Sequence, residues 1–415
     1  MAPSEPAASS DRGLHPRHRI DVEPGALALA LARCARPDRH AAPSLERWTD
    51  PGGEVLATLS VRSGFDALLS ALALPAGSEV LLSAWTIPDM ARVVRAHGLV
   101  PVPLDCEPGT LAPAVDTLSR AISARSRVLV VAQLFGGTHR LRALAALARA
   151  AGMLVVDDDA QGFTGRERLA GSECADVVFH SFGSLKTATA LGGGLVRVRH
   201  AALRERMRAL MARWPAQPTG RYARKVATFL ALAGVRDPGR YGAFARAAES
   251  AGRDFDAVVT GVTRGFAAET PDALLRALRH RPCDALCATL LEGLQRHDPG
   301  RIARRREAGE RMQAQLGAGV TVLGSAMEAR THWLFAVLAR GADGLVRALR
   351  REGYDAARAT STMAALPTAP ERPEQVATEC AGWRSGVVFL PAFPEVPEAA
   401  RDRMAALVRQ WSEER

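Results

Sequence analysis

Between residues 79 and 158 the sequence alternates short apolar runs with helix-like stretches, and this alternation restricts the fold more than any other feature. "EVLLSAW", "LVPVPLD", "RVLVVAQLFG" and "MLVVDDDA" are almost continuously apolar. "PDMARVVRAHG" and "HRLRALAALARAAG" carry apolar residues at helical spacing and close on Gly98 and Gly152. Strands covered on both faces read as unbroken apolar runs, and parallel neighbours need a crossover helix. The expected fold class is therefore α/β, a mostly parallel sheet with helices on both faces. Ligands of such sheets sit beyond the carboxyl ends of the strands, and Asp157, Asp158 and Asp159 fall at one such end. Alternate strand residues face opposite ways, so only one or two of the three can face a common ligand. Upstream, "SGFDALLSALAL" has helical spacing, with Ser63 read as its N-cap and Asp66 as the capping-box partner.

The 415 residues divide into three stretches. Residues 1–53, rich in Pro, Arg and Ala, read as a loosely packed N-terminal extension whose run "ALALALARCA" makes a short helix. Residues 54–290 form the large α/β domain, mainly helical after Gly194. Residues 291–415 form a smaller α/β domain, with "THWLFAVLA" and "GVVFLPAF" as strands. "KVATFLALAGV" falls short of the roughly 20 apolar residues a membrane span needs, and reads as a buried helix. Its minority reading is a lipid-substrate or membrane-touching surface flanked by Arg224 and Lys225. The first 20 residues show neither signal peptide nor anchor, so a cytoplasmic protein is expected. Six scattered cysteines read as reduced thiols, and His280, Cys283 and Cys287 lack the paired spacing of a zinc site. The net charge of +10 comes from arginines spread over many helices with acids interleaved, as in "RIARRREAGERM". That pattern argues for solvated helix faces over a nucleic-acid partner.

Nearly every basic residue is arginine; Lys186 and Lys225 are the two lysines in the chain. Arginine serves for most surface work but cannot act as a nucleophilic amine, so the lysine in "HSFGSLK" is informative. Three pieces fall at strand or turn ends: "RSGFDAL", "VVDDDAQGF" and "HSFGSLK". A turn leading into a helix offers free N–H groups to a phosphate. Pyridoxal 5'-phosphate uses all three together, needing an amine for its imine, an acid for its ring nitrogen and donors for its phosphate.

These motifs resemble the DegT/DnrJ/EryC1/StrS aminotransferases, a branch of the fold type I pyridoxal phosphate enzymes. The resemblance is good from about Glu54 to Val198 and looser beyond. It implies a seven-stranded, mostly parallel sheet in a pyridoxal phosphate-binding large domain. "DDDAQ" matches the family's Glu-Asp-x-Ala-Gln, which assigns the ring-nitrogen acid to Asp158 and the ring-oxygen neighbour to Gln161. "HSFGSLK" matches Phe-Ser-Phe-x-x-x-Lys and assigns a phosphate contact to Ser181 and the Schiff base to Lys186. Gly193 and Gly194 match the glycine pair after the lysine. Ser63, Gly64 and Phe65 match the Ser-Gly-Thr phosphate turn, with Phe65 giving a backbone N–H but no hydroxyl. Ile87 stands where an aromatic stacks on the ring, and Trp85 is the nearest aromatic. Gly192 replaces a glutamate, and "YDAARATSTMAAL" stands where many sugar-nucleotide members carry an aromatic and proline-rich segment.

The resemblance implies a homodimeric aminotransferase that moves an amino group from glutamate or glutamine to a keto or aldehyde acceptor in secondary-metabolite, sugar or cell-envelope biosynthesis. Free Lys186 is expected to have a lowered pKa and Asp158 to stay ionised. Two alternatives remain open on sequence: a pyridoxal phosphate enzyme of other chemistry (decarboxylase, lyase or carbon–carbon bond formation), and a degenerate binding or regulatory homologue. The retained lysine argues against the family's dehydratase branch.

Overall fold

The computed structural model describes residues 13–139, 141–263, 270–358 and 363–414; part of "YDAARATSTMAAL" lies outside these. The apolar runs build one seven-stranded sheet. Its strands are β1 (Val55–Thr58), β2 (Glu79–Ser83), β3 (Val100–Leu104), β4 (Ser126–Ala132), β5 (Leu154–Asp158), β6 (Val177–Ser181) and β7 (Gly194–Val198), in the order β1-β7-β6-β5-β4-β2-β3. β3, β2, β4, β5 and β6 run parallel, and β7 is antiparallel to both of its neighbours. This is the fold type I architecture expected from the sequence. β3, "VPVPL", contains two prolines that cannot donate to a ladder, and it lies at the sheet edge, where such residues are tolerated.

The antiparallel insertion of β7 has a direct geometric consequence. Gly194 is in register with Thr58 of β1 on one side and with Ser181 of β6 on the other. The carboxyl ends of β1 and β6 therefore converge on the start of β7. Helix α3 (Val61–Leu72) leaves β1 at this point. A Cβ at Gly194 would lie 2.9 Å from Ser60 C and Val61 N, so only glycine lets β7 pass this close to the helix start.

The α3 start differs from the sequence reading. Its N-cap is Ser60, extended at φ −166°, whose hydroxyl accepts the Ser63 N–H at 3.2 Å. Ser63 is inside the first turn. Asp66, read as a capping partner, is fully buried and accepts from Arg279 Nε at 3.0 Å, with His97 Nε2 at 2.8 Å. The helix begins a turn earlier because Phe65 belongs in the core, edge-on to Phe179 with ring centroids 6.1 Å apart. Gly64 faces β7, where an added Cβ would come within 2.5 Å of Val196 Cγ2.

The N-terminal stretch also departs from expectation. Helices α1 (Pro24–Ala35) and α2 (Ala41–Thr49) are packed, burying Leu27, Ala30, Ala41 and Leu45 in one cluster with Cys283 and Cys287. Those two cysteines are core residues and free thiols. α4 (Pro88–Ala96) follows β2. Helices α5 (Thr219–Ala233), α6 (Pro238–Ser250) and α7 (Phe255–Thr263) follow β7, and "KVATFLALAGV" runs through α5, burying Tyr222, Val226 and Phe229. No helix among the described residues is long and apolar enough to cross a membrane. The C-terminal unit has a four-stranded sheet of β8 (Thr321–Val322), β9 (Phe335–Leu338), β10 (Ala357–Arg358) and β11 (Val387–Leu390), in the order β8-β9-β11-β10. Two short pairings outside both larger sheets join the C-terminal unit to loops of the large one, Ala364–Ala365 with Trp85–Thr86 and Ala329–Arg330 with Gly137–Thr138.

Gly64→Ala inserts a methyl against a stiff β-branched neighbour, an overpacking change of about 1–3 kcal/mol. Denaturant unfolding is expected to show a loss of that size; unchanged stability would contradict the close contact.

Candidate active site

Beyond the carboxyl ends of β1, β5 and β6 lies a cavity of about 610 Å³. Asp158, Gln161, Ser181, Lys186 and Ile87 all line it, so the structure brings these five together. Ser63, Gly64 and Phe65 are not brought to it. Ser63 and Phe65 are 0% exposed inside α3, and Ser60, Val61 and Arg62 line the wall in their place, a shift of three residues. The first N–H groups of a helix have no intrahelical acceptor, so the first turn of α3 offers the anion site that the sequence reading put one turn later. Trp85 is fully buried against Trp383, with centroids 5.6 Å apart, so that Ile87 and not Trp85 reaches the cavity wall.

Strand alternation separates the three aspartates as elementary geometry requires. Asp157 accepts from Gln133 Nε2 at 3.0 Å and from the Ser172 N–H at 3.3 Å. Asp159 accepts from Arg168 Nε at 2.6 Å. Asp158 alone faces the cavity, with the Ala160 N–H at 3.3 Å from its Oδ1. Burial pushes its carboxyl up to about 6, against the pull of Lys186. Gln161 Oε1 is fixed by the Phe135 N–H at 2.7 Å, and its Nε2 contacts Met363 Sδ at 3.5 Å.

Lys186 sits in a loop held in an uncommon conformation. Ala188 and Leu191 have φ of 52° and 61°, a region costly for residues with a side chain. Thr189 Oγ1 ties the loop by donating to Gly183 O at 2.6 Å, and Asp21 accepts the Ala188 N–H at 2.8 Å. The Lys186 ammonium lies 4.1 Å from the Trp333 ring centroid, and Trp333 Nε1 donates to Leu185 O at 2.9 Å. Desolvation lowers the lysine to about 8, aided by Arg62 and opposed by Asp158. This is the direction expected for an amine that must lose its proton to react.

Three further groups escaped the sequence reading. Trp333 lay in a stretch read as strand, and nothing local marked it as reaching a distant lysine. Ser184 is buried in the cavity wall, and its hydroxyl has no hydrogen-bond partner in the structure, as a ligand-facing donor would. Lys225 lines the same cavity, lowered to about 8 by burial and by Arg62 and Arg221. Both lysines of the chain therefore share one cavity, a fact that the scarcity of lysine could have suggested.

An amine, a buried carboxylate, an unpartnered hydroxyl and a helix N-terminus around one cavity fit pyridoxal phosphate. The comparisons agree. Residues 52–232 match the model of the DegT/DnrJ/EryC1/StrS aminotransferase family. No curated protein matches the sequence. Among solved structures, the aminotransferase TlmJ from Streptoalloteichus hindustanus is 19% identical with a TM-score of 0.68, covering 97% of this chain and 100% of its own. Spr1654 from Streptococcus pneumoniae in its PLP form is 16% identical, TM-score 0.68, covering 97% and 99%. The sugar aminotransferase CalS13 from Micromonospora echinospora is 18% identical, TM-score 0.66, covering 96% and 100%.

The lysine gives the cofactor-free protein a pH signature. Between about 8 and the ordinary lysine value of 10.5, the unfolded chain still holds a proton that folded Lys186 has released, so stability rises with pH across that window. Lys186→Met is expected to reduce the rise, leaving the part due to Lys225. Unfolding of the apoprotein at pH 7.5 and 10 measures it, and an equal rise in both proteins would contradict the assignment.

The chain has the fold of the pyridoxal phosphate-dependent aminotransferases of fold type I, and its residues 52–232 match the model of the DegT/DnrJ/EryC1/StrS aminotransferase family.

Proposed function

We propose that the enzyme moves an amino group from glutamate or glutamine to a keto or aldehyde acceptor. The observation that carries this reading is the convergence of Lys186, Asp158, Gln161 and Ser181 on one cavity with the first turn of α3. In the exchange the donor's CH–NH2 becomes C=O and the acceptor's C=O becomes CH–NH2. Two electrons travel with the nitrogen, so no outside oxidant or reductant is needed. When bound, pyridoxal phosphate supplies the electron sink for the negative charge that develops at the substrate carbon.

The chain's own residues do the rest. Lys186 would hold the cofactor through its Nζ and, with its amine free, would take the proton from the donor's α-carbon. A value near 8 leaves part of the population neutral at physiological pH, as a general base requires. Asp158, still ionised above about 6, would pair with the protonated ring nitrogen. Gln161 would lie beside the ring oxygen, Ile87 would give an aliphatic contact to the ring, and Ser181, Ser184 and the N-terminal turn of α3 would bind the phosphate. Trp333 screens Lys186 from water. A homodimer is part of the same proposal, as the resemblance implies.

Purified protein is expected to show the visible absorbance of a lysine-bound cofactor and to lose it in Lys186→Ala. Glutamate or glutamine should convert wild type to the pyridoxamine form, with turnover reduced by at least ~10²-fold in the variant, the scale of a lost general base. Colour without conversion would assign other pyridoxal phosphate chemistry. Absence of colour would favour the binding homologue.

A further inference from the structure

A second cavity, of about 330 Å³, adjoins the first. The two share Arg17, His18, Leu185, Phe229, Val259 and Val262 in their walls, and Leu185 is the residue next to the cofactor lysine. The remaining wall is dominated by apolar side chains of α5, α6 and α7, including Leu232, Phe244 and Val258. α6 and α7 lie past residue 232, where the family match ends. Much of this wall therefore lies outside the residues that match the family model.

The polar groups in the wall are largely turned toward one another. Arg17 donates to Asp355 through Nε at 2.7 Å and a second nitrogen at 2.6 Å, and the Tyr241 hydroxyl donates to the same carboxylate at 2.8 Å. Arg19 pairs with Glu395, and Arg236 donates to the Val22 carbonyl. His15 is stacked on Tyr354, and burial keeps His15 and His18 neutral at pH 7, with His18 lowered to about 4. What faces the space is mainly hydrocarbon and ring faces. By contrast, the cofactor cavity is edged by Arg62, Arg221, Arg224 and Lys225.

We propose that the second cavity receives an apolar arm of the acceptor, so that the acceptor is an amphipathic carbonyl compound with its carbonyl at Lys186 and a hydrocarbon arm of several carbons among α5, α6 and α7. The inference rests on the aminotransfer reading for the word acceptor, but the cavity's preference can be tested without turnover. A polar substrate of sugar size would leave this apolar space filled with water or empty, whereas a hydrocarbon arm gains from leaving water.

The test is calorimetric titration of the cofactor-loaded enzyme with methyl ketones from 2-butanone to 2-decanone. Burial of each methylene is expected to tighten binding by about fourfold until the cavity is full. Leu232→Trp and Phe244→Trp each put a ring into the space and should flatten that dependence, with thermal unfolding checking that each variant is folded. Affinity that does not depend on chain length in wild type overturns the proposal, as does a dependence that survives in both folded variants. Reaction of the pyridoxamine-loaded enzyme with the same ketones should follow the same order. Failure of glutamate and glutamine to convert the cofactor would remove the aminotransfer reading, and would be seen separately from the chain-length dependence of binding.

Discussion

The site depends on how closely β7 passes the start of α3. Gly194 sits between Thr58 and Ser181 in the sheet register, and its missing Cβ lets the Ser60–Val61 backbone approach. A larger residue would push the helix N-terminus away from Ser181 and from the loop that bears Lys186. One absent methyl group thus fixes the distance between the free N–H groups of the helix start and the amine. The antiparallel β7 makes this possible, because it brings two strand ends and a helix start to the same edge of an otherwise parallel sheet.

Within that frame the electrostatics follow from burial. A lysine and an aspartate placed in one dry cavity are each pushed toward the neutral form, and each partly restores the other's charge. The lysine comes to about 8 and the aspartate to about 6. At neutral pH this leaves a carboxylate able to hold a protonated ring nitrogen and an amine able to lose its proton. Trp333, delivered from the C-terminal unit, presents its ring to the lysine and contributes to the dryness that creates the shift. The two small pairings between the units keep that contribution in place.

Much of this was legible in the sequence, and the errors have identifiable causes. Unbroken apolar runs announced the parallel sheet, because a strand covered on both faces has no polar side to show. The proline-bearing strand proved to be an edge, as a missing N–H requires. The helix start was read three residues late because Ser63 and Asp66 carry a capping-box pattern, whereas Ser60 caps the helix and Phe65 is drawn into the core. The N-terminal helices were read as loosely packed since their composition resembles a linker; their apolar residues find partners on α5 and on the helix Asp284–Gln295, more than 150 residues away.

The sequence by itself determined the sheet, its strand ends and the cofactor chemistry, since those rest on local period and on residue types that have no substitutes: a primary amine, a carboxylate at a strand end, a glycine pair. Only the tertiary structure decided which of three aspartates faces inward, that Ile87 and not Trp85 meets the cavity, that Lys225 joins Lys186, and that α5, α6 and α7 enclose an apolar space beside them. Those outcomes depend on contacts between residues far apart in the chain, for which neither period nor spacing carries a signal.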